Sequence, residues 1–193
     1  MNIKGLIFDC DGTLADTMPM HWQAWQVINR RYQLEFPEDR FYALGGVPSR
    51  DILRLLAREQ GLELDPLAVA REKEAEYLKL MARVNPIPEV TAIVRANHGR
   101  RPMAVASGGA RHVIEMVLRR LELRDHFQAV VTCEDVVRQK PAPDIYLEAA
   151  RRIGVPPGLC RVYEDSETGL AGARAAGMTV VDVRELRRLS SAA

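Results

Sequence analysis

The apolar positions of this chain change period several times. Leu6-Ile7-Phe8 is a short continuous apolar run, with Gly5 before it and Gly12 soon after. Such a run suits a strand buried on both faces, as in a parallel sheet. Further strands are expected over 103–106, 129–132, 161–163 and 179–183. Helical spacing over 89–97, 110–121, 144–153 and 168–176 alternates with them, which means crossover units and a parallel sheet. Between the first strand and the second, residues from about 16 to 84 read as an all-helical insertion. Trp22, Trp25, Ile28 and Tyr32 recur at roughly helical spacing, and Asp16 or Thr17 can cap that helix. Pro37, Gly45, Gly46 and Pro48 mark 33–47 as loop or turn. A helix over 49–60 should stop at Gly61. Asp65-Pro66 has the form of a helix start, and that helix is expected to reach 83 before Asn85-Pro86-Ile87-Pro88 breaks it. The predicted fold class is α/β: a doubly wound parallel-sheet (Rossmann-like) core over 1–15 plus 85–193, with an inserted all-helical cap over 16–84. Two crossings, near 15–18 and 82–87, would let the cap act as a lid. The last residues, 187–193, are expected to fray.

At 193 residues the chain can hold one full core plus a smaller accessory unit. Its 27 basic and 26 acidic residues nearly cancel, which argues against a general nucleic-acid-binding surface. Arginine pairs at 30–31, 100–101, 119–120, 151–152 and 187–188 read mostly as solvated faces, several near helix ends. Cys10, Cys133 and Cys160 have no metal-ligand spacing, and their odd number speaks against a disulfide framework. Small buried thiols in a reducing cytosol are the expectation. An acidic motif arrives within the first eleven residues, so no signal peptide is expected there. No apolar run is long enough to cross a membrane. These features predict a cytoplasmic protein, a monomer or weak dimer, with neither nucleic acid nor membrane as partner.

The candidate chemistry gathers at strand ends. Asp9 and Asp11 are two apart, so an extended backbone points both carboxylates the same way, and Gly12 frees a sharp turn. Open α/β sheets bind ligands at that edge. Carboxylates this close need a proton or a cation between them, and clustered oxygens suit a hard ion such as Mg2+. The plainer alternative is a strand followed by an Asx-type turn. A calcium loop is disfavoured, because its sixth position here is Leu14. Ser107-Gly108-Gly109 follows the second strand and can form an anion site or simply an N-cap. Lys140-Pro141-Ala142-Pro143-Asp144 follows the third, where Lys140 can balance nearby carboxylates or belong to a surface loop. Glu164-Asp165-Ser166 follows the fourth and adds two carboxylates or an acidic helix cap.

Taken in order, these four stretches resemble the motifs of the haloacid dehalogenase-like superfamily of phosphotransferases, over nearly the whole chain. Lys140-Pro141-Ala142-Pro143-Asp144 and Glu164-Asp165-Ser166-x-x-Gly169 are similar to the branch of β-phosphoglucomutases and sugar-phosphate phosphatases. The resemblance implies that Asp9 attacks phosphorus to form an aspartyl phosphate, while Asp11 protonates the leaving oxygen and later activates water. It implies that Ser107 and the Gly108 amide hold phosphoryl oxygens and that Lys140 offsets the charge of Asp9 and substrate. It implies Mg2+ as cofactor, held by Asp9, Glu164, Asp165 and the Asp11 carbonyl. Gly109 departs from many relatives, which carry a hydroxyl or amide side chain there.

The same resemblance implies that Thr17, His21, Arg50 and Lys73 face the substrate from the cap. Alone, His21 reads as a surface or half-buried histidine, and Lys73 in Arg71-Glu72-Lys73-Glu74 as part of a solvated face. Trp25 reads as cap core. Thr13 is the usual phosphatase residue where mutases often carry valine, and Gly46-Val47-Pro48-Ser49-Arg50 is one residue out of register with the mutase arginine motif. Both points favour hydrolysis of a small sugar phosphate. Gly99-Arg100-Arg101-Pro102-Met103-Ala104-Val105 adds a similarity to the fructose-1-phosphate phosphatase type. A β-phosphoglucomutase is the alternative, and a non-catalytic phosphosugar-binding regulator is the alternative of another class. A true dehalogenase is disfavoured, since Asp11 suits proton transfer to oxygen rather than halide release.

Overall fold

The computed structural model describes residues 2–191. Five parallel strands form one sheet: β1 (Gly5–Phe8), β2 (Met103–Ala106), β3 (Ala129–Val131), β4 (Cys160–Glu164) and β5 (Thr179–Asp182), in the order β3-β2-β1-β4-β5. Period-two alternation places Leu6 and Phe8 of β1 in one apolar cluster and Ile7 in another. Likewise Met103 and Val105 of β2 face one side, and Ala104 and Ala106 the other. Helices cover both faces, as a wholly parallel sheet requires. On the first pack α5 (Pro88–Asn97), α6 (Arg111–Arg120) and α9 (Val183–Ser191), and on the second α7 (Asp144–Arg152) and α8 (Glu167–Ala175). The chain is therefore an α/β protein with a Rossmann-like sheet.

Between β1 and β2 run α1 (Met18–Tyr32), α2 (Glu38–Ala43), α3 (Ser49–Gln60) and α4 (Pro66–Leu78). Trp25, Ile28, Phe41, Leu53, Leu56 and Val69 from these four helices pack into a third cluster. Gly61 ends α3 in the left-handed conformation, at φ 63°, as its position past the last turn predicts. The Asp65 side chain caps α4 by accepting from the Leu67 and Ala68 amides.

Three expectations need correction. The stretch 33–47 is not all loop: α2 forms there, with Glu38 and Asp39 at its positive end and Phe41 anchored in the third cluster. The helix expected to reach 83 stops at Leu78, and a 3-10 turn (Met81–Arg83) follows, which lets buried Val84 turn back toward the sheet. The segment expected to fray begins within α9, where Val183 is buried and Leu186 packs on the first core. Ala192 and Ala193 lie outside the described residues.

The two crossings are tied to each other. Asp16 N–H donates to the Asn85 carbonyl at 2.9 Å, and Ile87 N–H to the Leu14 carbonyl at 3.0 Å. Arg120 of α6 adds bonds to the Ala82 and Val84 carbonyls. Leu56 is fully buried among the inserted helices, so Leu56→Ala should cost about 2–5 kcal/mol in denaturant unfolding.

Candidate active site

Parallel pairing brings Phe8 beside Tyr163, so the residues that follow β1 and β4 emerge next to each other. Those residues are Asp9, Glu164 and Asp165. Lys140 arrives from the loop after β3 and is 3% exposed, as is Asp9; Glu164 is 0% exposed. The Lys140 ammonium donates to Asp9 Oδ1 at 2.7 Å and to Glu164 Oε2 at 2.9 Å. Lys140 is thus an interior cation, not a surface-loop residue. Burial opposes its charge, but Asp9 and Glu164 hold its pKa well above the usual lysine value. Burial and the charge of Glu164 push Asp9 well above the carboxylate range, against the pull of Lys140. They also raise Asp165 to about 7.

Glu164 is engaged at both oxygens. Tyr146 Oη donates to Oε2 at 3.0 Å, while the Ser166 amide and hydroxyl donate to Oε1 at 3.0 and 2.6 Å. Thr13 Oγ1 donates to Asp165 Oδ1 at 3.0 Å. Gly12, at φ 83°, turns the chain against Asp165 so closely that a Cβ there would collide with the carboxylate. Carboxylate oxygens of Asp9, Glu164 and Asp165 lie within 4.8 Å of one another. Three carboxylates share one lysine, and that excess of negative charge among converging oxygens fits a hard divalent cation.

Ser107 is buried, and its Oγ accepts from the Gly109 amide at 3.1 Å. It is not an N-cap, because α6 begins four residues later, with Ala110 before it. At Gly109 a Cβ would meet the Ile114 side chain at 2.7 Å, a steric reason for the missing side chain. Gly108 meets the inserted helices: the Gly46 carbonyl lies where its Cβ would stand. Thr168 of α8 donates a short hydrogen bond to the Gly45 carbonyl. The turn between α2 and α3 is therefore docked on the sheet's rim.

Docking frames a half-open cavity of about 330 Å³. Asp9, Asp11 and Ser107 line one side, and Trp25, Arg50 and Lys73 the other. Trp25 also belongs to the third apolar cluster, as its core reading requires. Arg50 has its Nε 3.8 Å from Asp51 Oδ2. Asp11 sits apart from the carboxylate cluster. Its Oδ1 accepts from Thr17 Oγ1 at 2.7 Å and lies 3.1 Å from His21 Nε2. Lys73 Nζ is 2.7 Å from His21 Nδ1. A lysine ammonium can only donate, so Nδ1 accepts and Nε2–H points at Asp11. Lys73 is 4% exposed, not part of a solvated face. Burial brings it down to about 8, and burial with the charge of Lys73 lowers His21. Burial works against ionised Asp11, yet His21, Thr17 and Lys73 hold it at about 2.

Residues 3–177 match the profile of the family described as haloacid dehalogenase-like hydrolase. The chain belongs to that family. Among its relatives, fructose-1-phosphate phosphatase YqaB of Escherichia coli is 45% identical over 94% of this chain and 97% of its own. A phosphorylated carbohydrates phosphatase of Thermotoga maritima is 31% identical over 91% and 82%. The crystal structure of a β-phosphoglucomutase from Clostridium difficile superposes with a TM-score of 0.85 at 22% identity, covering 96% of this chain and 88% of that one. That last likeness speaks to the fold alone.

In this haloacid dehalogenase-like hydrolase, three contributors lay beyond sequence reading. Thr13 orients Asp165, Tyr146 supports Glu164, and the Gly45-Gly46 turn closes the cavity. Thr13 stood in the first motif, but its partner is 152 positions away. Nothing local separates Tyr146 from a core aromatic.

The pH response follows from opposite shifts. Asp165, raised to about 7, contributes stability that is full at low pH and is lost as pH rises from about 4 through about 7. Asp11, lowered to about 2, contributes above about pH 4 and loses it as pH falls through about 2. A divalent cation at the cluster competes with protons. Mg2+ should therefore raise the melting temperature more at about pH 8 than at about pH 5. Equal increments in thermal scans would count against the cluster as a cation site.

Proposed function

We propose that this hydrolase removes the phosphoryl group from a small sugar phosphate, such as fructose 1-phosphate, through an aspartyl phosphate. The chain is a phosphomonoester hydrolase of its family; substrate, cofactor and residue roles are the proposal. The observation that carries it is Lys140, buried between Asp9 and Glu164, with Asp9 itself lining a cavity walled by Trp25, Arg50 and Lys73. The substrate class draws on the name of the 45% identical relative. We assign 16–84 to a cap and 1–15 plus 85–193 to the catalytic core. Because one chain closes its own cavity, a monomer or weak dimer suffices. Three free cysteines suit a reducing compartment, and the cytoplasm is the proposed setting. Among the described residues no helix is long and apolar enough to cross a membrane.

In the first step an Asp9 carboxylate oxygen forms a bond to phosphorus as the sugar's P–O bond breaks. Asp11 gives its proton to the departing oxygen, and the sugar leaves as an alcohol. In the second step Asp11 takes a proton from water, whose oxygen attacks phosphorus and releases inorganic phosphate and free Asp9. Ser107 Oγ and the Gly108 amide bind phosphoryl oxygens, and Lys140 offsets the charge of Asp9 and substrate. Asp9, Glu164 and Asp165, with the Asp11 carbonyl, would hold Mg2+, which supplies charge neutralisation at the phosphoryl oxygens. Thr17 and His21 favour the base form of Asp11, which serves the second step. The negative charge of a bound phosphate pushes its pKa back up, which serves the first.

Arg50 in the cavity wall favours one other reading, a β-phosphoglucomutase, because that side chain could grip a second phosphate. The products from β-glucose 1-phosphate distinguish them: inorganic phosphate is expected, and dominant glucose 6-phosphate would overturn the phosphatase reading. Asp9→Asn should abolish turnover on a phosphosugar panel while circular dichroism stays native. Substantial activity in that variant would refute Asp9 as nucleophile. Chelation should stop turnover and Mg2+ restore it.

A further inference from the structure

His21 and Trp25 lie one turn apart on α1, and Lys73 and Tyr77 one turn apart on α4. Residues four apart share a helix face, so the packed helices set these pairs against each other. The Tyr77 ring lies flat on the His21 imidazole, with centroids 3.9 Å apart and planes 10° from parallel. The Lys73 ammonium sits 5.7 Å from the Tyr77 ring centroid and 5.8 Å from that of Trp25. One aromatic side chain thus touches two members of the Asp11–His21–Lys73 chain.

The other end of Tyr77 is equally informative. The residue is 0% exposed, and among the described residues no side chain or backbone group bonds its buried hydroxyl. A buried phenol normally finds one. The ring's faces are what the surroundings use: one covers the imidazole, and its π-electrons attract the ammonium.

We propose that Tyr77 is a positioning residue whose ring fixes the plane of His21 and cages Lys73, so that His21 Nε2–H stays aimed at Asp11. The proposal rests on the phosphatase reading for its kinetic consequence. A tilted imidazole loses the aim of Nε2 at Asp11 and of Nδ1 at Lys73 together. Asp11 then moves protons less well, while Ser107, Gly108 and Lys140 still hold the phosphoryl group. The loss belongs in kcat rather than in KM.

The test compares wild type, Tyr77→Phe and Tyr77→Leu on fructose 1-phosphate, with a sugar-phosphate panel alongside. Tyr77→Phe keeps the ring and should retain kcat and KM within about twofold, with a melting temperature no lower. Tyr77→Leu should lose at least about tenfold in kcat with KM nearly unchanged. Loss of activity in Tyr77→Phe would overturn the proposal, because the hydroxyl would then be what matters; this arm decides even if Tyr77→Leu does not fold. A raised KM with normal kcat in Tyr77→Leu would also overturn it, by making Tyr77 a substrate contact. Imidazole nitrogen shifts at fixed pH give a readout independent of turnover. His21 should show one tautomer in wild type and Tyr77→Phe and a mixture in Tyr77→Leu; an unchanged tautomer there overturns the clamp. If wild type hydrolyses no sugar phosphate, the functional reading alone fails, and the nitrogen shifts still judge the clamp.

Discussion

An interior ammonium between two carboxylates is the interaction on which the rest of this structure depends. Lys140 is held by Asp9 and Glu164 at the meeting of β1, β4 and the loop after β3. Interior charges are tolerated only when paired and hydrogen-bonded, and removing one partner of such a pair costs about 3–5 kcal/mol. The pairing therefore locks together three chain segments that are remote in sequence. It also leaves a surplus of negative charge, because Asp165 joins the cluster with no cation of its own. A packed, self-neutralised interior would have no need of that surplus. A site that receives a cation does.

The helical insertion supplies a second, separate electrostatic arrangement. Asp11 is turned away from the carboxylate cluster and is served by Thr17, His21 and, through His21, Lys73. Two aspartates only two residues apart thus have opposite environments. Burial and like charge raise Asp9, whereas hydrogen bonds and nearby positive groups lower Asp11. Environments that push neighbouring acids apart are how one site assigns them different tasks. Here the division comes from architecture, with one acid facing the sheet's rim and the other facing α1 and α4.

Much of this was legible in the chain. Continuous apolar runs identified the strands because a parallel sheet buries both faces, and Gly61 and Asp65-Pro66 marked helix ends through local rules. The short α2 was not legible, since six residues give no usable period and its hold is Phe41 in a distant cluster. The stretch from Arg187 on looked like a loose end because the apolar anchors of α9, Val183 and Leu186, come before it and its arginines read as solvated. At the site, the acids and Lys140 could be read from strand-end wording. Lys73 could not be read from its own neighbourhood, a run of charges, because its burial arises from α1 against α4. Thr13 and Tyr146 serve partners that only folding brings near.

The turn at Gly45-Gly46 rests on Gly108 with no space for even a methyl group between them. Contact that tight leaves no room for water at this joint. On the proposed chemistry, the water destined to split the aspartyl phosphate must then either reach phosphorus by another side of the cavity or enter where this seal parts. The second course makes the lifetime of the phosphorylated enzyme depend on how often the seal lifts. Breathing of a glycine-to-glycine joint, beside the amide proposed to hold the phosphoryl group, would then pace every cycle.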